Sequence, residues 1–315
     1  MIAFLFPGQG SQSIGMGREI YDAFRCAQDV YQEVDEALKQ NLTKIIFEGP
    51  ENDLVLTENA QPALMTVSMA LMRVLEKEGG FNLAQAVSYV AGHSLGQYSA
   101  LCAAGSLSLS DTARLFKIRG QAMQLAVSVG EGAMAAILGL EMPIIEKIVE
   151  ESAQEQVCEV ANDNSPGQVV ISGHREAVER AVELSKKRGA KRSILLNVSA
   201  PFHCALMQPA EDRMNEALQD VLMKDPCLPV IDNVSAQAVK RGDALKELLV
   251  HQVTGRVRWR ESIEVMVKQG VSATIEVGAG KVLTGLSKRI VPTLNAIALN
   301  SPHDIESYLT KSLVA

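Results

Sequence analysis

The chain opens on five apolar residues, IAFLF at 2–6, halted by Pro7. A short continuous apolar run ending at a turn reads as a buried strand, and PGQGSQ (7–12) as the loop that follows it. A long helical stretch comes next, with weaker breaks near Gly49-Pro50 and Gly79-Gly80. Within it PALMTVSMALMRVL (62–75) reads as a buried helix, since Thr66, Ser68 and Arg73 leave it too short for a bilayer. AVSYVA (86–91), rich in small and β-branched residues, predicts a second strand, and SLGQYSALCAAG (94–105) then has helical spacing. DTARLFKIRGQAMQLA (111–126) predicts an amphipathic helix begun by Ser110 or Asp111.

Between about 127 and 198 the pattern changes. GAMAAILGL predicts a strand, MPIIEKIVEESAQE a helix, and VCEVANDNSPGQVVISG two strands around an Asn-Ser-Pro-Gly turn. HREAVERAVELSKKRG predicts a helix and AKRSILLNV a strand. The order βαββαβ is that of a ferredoxin-like unit, which can close as a small subdomain inserted between two halves of a larger α/β domain. Beyond it come a helix, the strand LPVIDNV, another helix, and ATIEVGAGKVLTGLSKR as strand, glycine turn and helix. The expected division is 1–126 and 199–315 for the large domain and 127–198 for the insert.

Composition narrows the function classes. The 315 residues are 47% hydrophobic and 21% charged, as in an ordinary soluble globular protein. A net charge of −7 carries no electrostatic footprint for nucleic acid. MIAFLF has no basic n-region of a secretory signal. Five cysteines without a Cys-x-x-Cys spacing argue against a disulfide framework and fit a reducing cytoplasm. The five histidines never fall at ligand spacing with one another, so no metal is implied.

The candidate chemistry begins at Gly92-His93-Ser94-Leu95-Gly96. Strand, Gly-x-Ser-x-Gly, helix is the order of a nucleophile elbow, which exposes the serine at a helix N-terminus. A serine needs a base, and His203, in the SAPFHCALM loop after the insert's last strand, is placed to be one. His93 adjoins the serine, but neighbouring residues point apart; a Cys204 nucleophile is disfavoured for the same reason beside His203. His174 reads as a helix start. An oxyanion hole needs two donors. The N–H of Leu95 comes with the elbow, and PGQGSQ is the source for a second. A dinucleotide site there fails because Ser13 stands where the pattern needs glycine. Arg119 sits amid Leu115, Ala122, Met123 and Ala126, on the apolar arc of its helix, while Arg114, Lys117, Gln121 and Gln124 share the other side. A buried guanidinium needs an anion, either one of the chain's own carboxylates or a substrate carboxylate held by two hydrogen bonds.

FPGQGSQ (6–12), GHSLGQYSAL (92–101), KIRGQAM (117–123), NSPGQVVISG (164–173), PFHCALM (201–207) and EVGAGKVLTGL (276–286) together resemble the malonyl-CoA:acyl-carrier-protein transacylases. The six motifs, in order, cover the chain almost end to end. The resemblance implies an α/β-hydrolase-like large domain with a parallel sheet and a ferredoxin-like insert. It implies transfer of malonyl from malonyl-CoA to acyl carrier protein through a malonyl-serine intermediate, with no cofactor beyond the CoA thioester substrate, no membrane, and a cytoplasmic setting in fatty-acid synthesis. Residue by residue, Ser94 matches the acyl acceptor, His203 the base, and Gln12 and Leu95 the oxyanion-hole donors. Arg119 matches the malonate-binding arginine, and Gln252 the glutamine whose carbonyl orients the histidine. Met123 and Phe202 match the lining of the acyl pocket, with Asn162 and His93 beside it. Two positions depart from the pattern: Gln97 where glutamate is commoner, and Ala279 where proline is commoner. A rival on the same elbow, an esterase passing the acyl group to water, would have no need of Arg119; a non-catalytic carrier-docking subunit would leave Ser94 unacylated.

Overall fold

The computed structural model describes residues 1–312. Among the described residues ten strands form two sheets. The larger contains β1 (Ile2–Phe6), β2 (Tyr89–Gly92), β7 (Val230–Ile231), β8 (Ala238–Val239), β9 (Ala273–Val277) and β10 (Asn295–Leu299), in the order β10-β9-β1-β2-β7-β8. All its pairings are parallel except β7 with β8. Helices cover both faces, so β1 is buried from Ala3 to Phe6 and its uninterrupted apolar run follows. The helix Thr57–Lys77 is buried nearly all round in the main core, which also takes in Phe4, Phe6 and Val90. Trp259 and Ile263 close the opposite face over Ala3, Leu5 and Ala91.

The smaller sheet is antiparallel, in the order β4-β5-β3-β6, from β3 (Gly132–Leu138), β4 (Cys158–Ser165), β5 (Gln168–His174) and β6 (Arg192–Leu195). With the helices Met142–Ala153 and Arg175–Lys187 it makes the βαββαβ unit read from the sequence, around its own core of Ile137, Ile145, Ile148 and Ile171. The chain enters and leaves it from the large domain. A main-chain bridge ties the two parts: Val257 N–H donates to Ala161 O at 2.8 Å, and Asp163 N–H to Val257 O at 2.9 Å. β4 is an edge strand, so this bridge forms on the side away from β5, and the register with β5 slips between Val160 and Asn162 and between Asp163 and Ser165.

Several boundaries differ from the sequence expectation. The helix read as 111–126 spans Leu109–Leu125, because the hydroxyl of Ser108 accepts the N–H of Asp111 and caps it two residues earlier. The second strand starts at Tyr89, since Leu83–Ala86 forms a helical turn capped by Asn82. LPVIDNV contributes only Val230–Ile231 to the sheet, because the Asp232 carboxylate turns the chain by accepting the N–H groups of Val234 and Ser235. AKRSILLNV pairs with β3 only over 192–195, and the remainder becomes the loop that carries His203.

Candidate active site

The carboxyl ends of the adjacent parallel strands β1 and β2 define the site, the usual place for a ligand on such a sheet. The β1 end leads into the Pro7–Gln12 loop and the β2 end into Ser94. Ser94 has φ 52°, a strained conformation that turns its hydroxyl outward just before the helix Gly96–Ala103. The flanking glycines are steric requirements. A Cβ on Gly92 would lie 1.9 Å from the carbonyl carbon of Gly96, and one on Gly96 would lie 2.2 Å from Phe6 O. Both ends of Ser94 are gripped: its N–H donates to Asn233 Oδ1 at 2.8 Å, and its carbonyl accepts from Gln252 Nε2 at 3.0 Å.

His203, buried and also at positive φ, places Nε2 2.7 Å from Ser94 Oγ. Its Nδ1 faces two main-chain oxygens, Gln252 O at 2.9 Å and Gly255 O at 3.1 Å. Carbonyls only accept, so the proton sits on Nδ1 and the Nε2 lone pair faces the serine. Burial, then the positive Arg119 nearby, push the imidazole pKa down to about 3. The ring is therefore neutral at neutral pH, with its Nε2 lone pair directed at the serine hydroxyl.

Arg119 is 1% exposed, and among the described residues no carboxylate pairs with it. Neutral groups hold it instead. Nη1 donates to Gln61 Oε1 at 2.9 Å, and Nη2 to Gln252 Oε1 and Ser94 Oγ, both at 3.2 Å. Its carbon lies 5.6 Å from the centre of the Tyr98 ring, and Nε has no hydrogen-bond partner among the described residues. A buried cation with only neutral neighbours and an open donor is arranged for an anion from outside. Of the two readings open for Arg119, a partner among the chain's own carboxylates is not found among the described residues.

A cavity of about 360 Å³ joins these groups. Ser94, Leu95, His93, Gln12, Arg119, Met123, Asn162, Phe202 and His203 all line it, and Gln252 stands behind Ser94 and His203. The main-chain N–H groups of Leu95 and Gln12 have no acceptor among the described residues. Met123 and Phe202 join Met134 and Val170 of the insert as the apolar lining. His93 Nε2 lies 2.7 Å from Asn164 Oδ1, and burial lowers its pKa. Cys204 turns away, its thiol donating to Pro201 O at 3.1 Å while burial raises its pKa to about 11. His174 accepts the N–H of Val157 at the hairpin edge, far from this chemistry.

Sequence reasoning missed Gln61, Asn164 and Asn233. Gln61 borders an apolar run and signals nothing by itself. Asn233 lay inside a segment read as strand. Gln97, in the first turn of the helix Gly96–Ala103, is fully buried and bonded to Asp232, Asn233 and Gln252.

Comparison with known proteins places the chain in a family. Residues 3–296 match the acyl transferase domain family. The malonyl CoA-acyl carrier protein transacylase of Escherichia coli K12 is 48% identical over 300 residues, 95% of this chain and 96% of that protein. Its Bacillus subtilis 168 namesake is 47% identical over 97% of this chain and 95% of its own length. The crystal structure of the acyl-carrier-protein-S-malonyltransferase of Bartonella henselae, 54% identical, superimposes with a TM-score of 0.97 over 100% of this chain and 99% of that one. A malonyl-transacylase solved in complex with a type II PKS acyl-carrier protein gives 0.95 at 43% identity, over 98% and 99% of the two chains. The chain belongs to the acyl transferase domain family, among the malonyl CoA-acyl carrier protein transacylases.

Proposed function

We propose that this protein transfers the malonyl group of malonyl-CoA to the phosphopantetheine thiol of acyl carrier protein, for fatty-acid synthesis, by a ping-pong route through Ser94. The observation that carries the reading is Arg119: a buried guanidinium without a carboxylate partner among the described residues, 3.2 Å from the hydroxyl of Ser94. An acyl group on that oxygen brings a carboxylate at its far end into reach of the guanidinium.

In the first half-reaction His203 Nε2 takes the proton of Ser94 as Oγ attacks the thioester carbon. The tetrahedral oxyanion rests on the N–H groups of Leu95 and Gln12. Collapse breaks the carbon–sulfur bond, and the CoA thiolate takes the proton from His203. An imidazolium so destabilised by burial gives up its proton readily. In the second half-reaction the carrier thiol gives its proton to His203 and attacks the ester; Ser94 leaves and recovers the proton. No cofactor takes part in these steps. The main-chain carbonyls of Gln252 and Gly255 stabilise the Nδ1 side, in place of an acidic third member. Phe202 lines the acyl cavity beside His203, and we assign to it a part in favouring malonyl over the bulkier methylmalonyl.

Acyl carrier proteins are acidic, and so is this chain, so docking calls for local positive charge. Lys187, Lys191 and Arg192 of the insert and Lys281 and Lys288 of the large domain are exposed, and none is ion-paired among the described residues. Arg289 hydrogen-bonds Gln168 across the boundary between the large domain and the insert. Among the described residues no helix is long and apolar enough to cross a membrane. With five free thiols, we assign its work to the cytoplasm.

The test is intact mass after treatment with malonyl-CoA, with and without carrier protein. The expected result is a malonyl adduct on Ser94 that moves to the carrier. Free malonate in its place would mean hydrolysis, and an unlabelled serine would mean a non-catalytic protein.

A further inference from the structure

Beneath the nucleophile lies a polar cluster that the acyl-transfer steps leave unused. Gln97, in the first turn of the helix after Ser94, and Asp232, just past β7, are both wholly buried. Gln97 Oε1 accepts the main-chain N–H of Asn233 at 2.9 Å and Gln252 Nε2 at 3.0 Å. A main-chain N–H only donates, so the amide orientation is fixed by its surroundings. Its Nε2 therefore faces Asp232 and donates to Oδ1 at 3.0 Å. Asp232 Oδ2 accepts the N–H groups of Val234 and Ser235 and the hydroxyl of Ser235. All four partners donate, which is the environment of a carboxylate without a proton. Asn233 and Gln252, both held by Gln97, are the residues that grip the Ser94 main chain.

We infer that Gln97 and Asp232 are positioning residues that hold the nucleophile elbow in register as a pair carrying a single negative charge, and that this charge can reside on either member. Donor and acceptor counts give the reason. With Gln97→Glu alone, two carboxylates at this separation face each other with no proton between them. Asp232→Asn alone fails differently: the new amide must turn its oxygen to Val234 and Ser235, so its NH₂ meets the NH₂ of Gln97. Exchanging the roles satisfies every group. With both substitutions together, the carboxylate now on the helix accepts from Asn233 and Gln252 with one oxygen. Its other oxygen accepts from the NH₂ of the amide now past β7. Arg258, ion-paired with Glu261, lies on the Asp232 side; Arg119 and His203 reach the pair only through Gln252, and His93 stands beyond Ser94.

The inference rests on Ser94 being the nucleophile, so the primary readout is the rate at which a small fluorophosphonate labels Ser94, independent of any acyl substrate. Gln97→Glu and Asp232→Asn are each expected to slow labelling at pH 8 by about 10-fold or more, with a matching loss in kcat for malonyl transfer and little change in KM. The double variant is expected to return to within about threefold of the parent, a non-additivity that independent sites do not show. Gln97→Glu alone should recover, relative to the parent at the same pH, as the pH falls toward 6 and the paired carboxyls take up a proton; Asp232→Asn should not. A double variant no faster than the slower single variant overturns the inference, as do single variants that label at the parent rate. If a single variant fails to fold, the double variant decides alone. Absence of labelling in the parent protein would overturn the functional reading itself.

Discussion

Replacing Arg119 with alanine separates selection of the acyl group from the chemistry on it. Malonyl exceeds acetyl by one carboxylate, and the guanidinium can take that carboxylate through two charge-assisted hydrogen bonds. Each is worth about 1.5–3 kcal/mol when the alternative is an unmet charge. Water entering the space left by the side chain offsets part of the loss, so the lower end, about 3 kcal/mol in all, is the working figure. At 1.36 kcal/mol per decade this predicts a fall of at least ~10²-fold in kcat/KM for malonyl-CoA. Acetyl-CoA should behave in the opposite sense. In the parent it leaves the guanidinium buried and unpaired, and Nη2 donates to the Ser94 oxygen that must attack. Arg119→Ala removes both obstacles while His203, Leu95 and Gln12 remain, so acetyl transfer should survive or rise. The same variant loses the charge that, after burial, depresses His203, so the acid limb of the pH–rate profile should move up from about 3. The assay is kcat/KM for both thioesters across pH. If both substrates fall by the same factor in a folded protein, Arg119 is structural and the selectivity argument fails.

Three further outcomes are expected. His203 has a pKa of about 3 in the fold against an ordinary 6.5, so the unfolded chain binds the extra proton. Its contribution to stability is full above pH 6.5 and is lost toward pH 3, at up to about 1.4 kcal/mol per pH unit; urea melts at pH 7 and pH 5 should show a smaller pH-dependent loss for His203→Gln than for the parent. Gly96→Ala should destabilise by about 2–3 kcal/mol in urea melts, although alanine is the better helix former, because its Cβ meets Phe6 O at 2.2 Å; a more stable variant would show that the β1 end yields. Charge reversal at Lys187, Lys191 and Arg192, or at Lys281 and Lys288, should raise KM for carrier protein and leave acylation by malonyl-CoA unchanged, and unaltered kinetics after reversal at both would remove the docking surface.

What could be read from the chain follows the range of the interactions involved. The elbow is local: five residues set its sterics, and a flanking strand and helix confirm it. The insert is legible because its period alternates between two and 3.6 within 70 residues or so. Arg119 stands out because helical periodicity places it among apolar residues, and the fold buries it there. The acceptors around it are another matter. Gln61 meets Arg119 across 58 positions of chain, and Asn233 meets Ser94 across 139. Uncharged amides in otherwise ordinary segments carry no pattern, and only the three-dimensional arrangement shows what they hold. The early strand end at Ile231 has the same origin, since the Asp232 side chain takes main-chain donors that a longer strand would have needed.

The insert shapes the site from above as the elbow does from below. Its strands supply Asn162, Asn164, Met134 and Val170, and the chain leaving β6 carries Phe202 and His203 back to Ser94. A base that must meet a hydroxyl at 2.7 Å tolerates little drift between two separately packed cores. The main-chain bridge at Val257 limits that drift, and the buried Asp163 carboxylate adds to it by meeting Arg260 Nη2 at 2.9 Å from the large domain. Asp163 lies between two residues that face the acyl cavity, Asn162 and Asn164, so the same short segment anchors the insert and lines the pocket. Alternation along one strand achieves this: neighbouring side chains point to opposite faces, one to the anchor and its two neighbours to the substrate. The segment stays paired with β5 through Asn162 and Asp163, and because β4 is an edge strand its other edge is available to the large domain. Coupling position to recognition in this way makes the geometry of the malonyl pocket a property of the junction between the two cores.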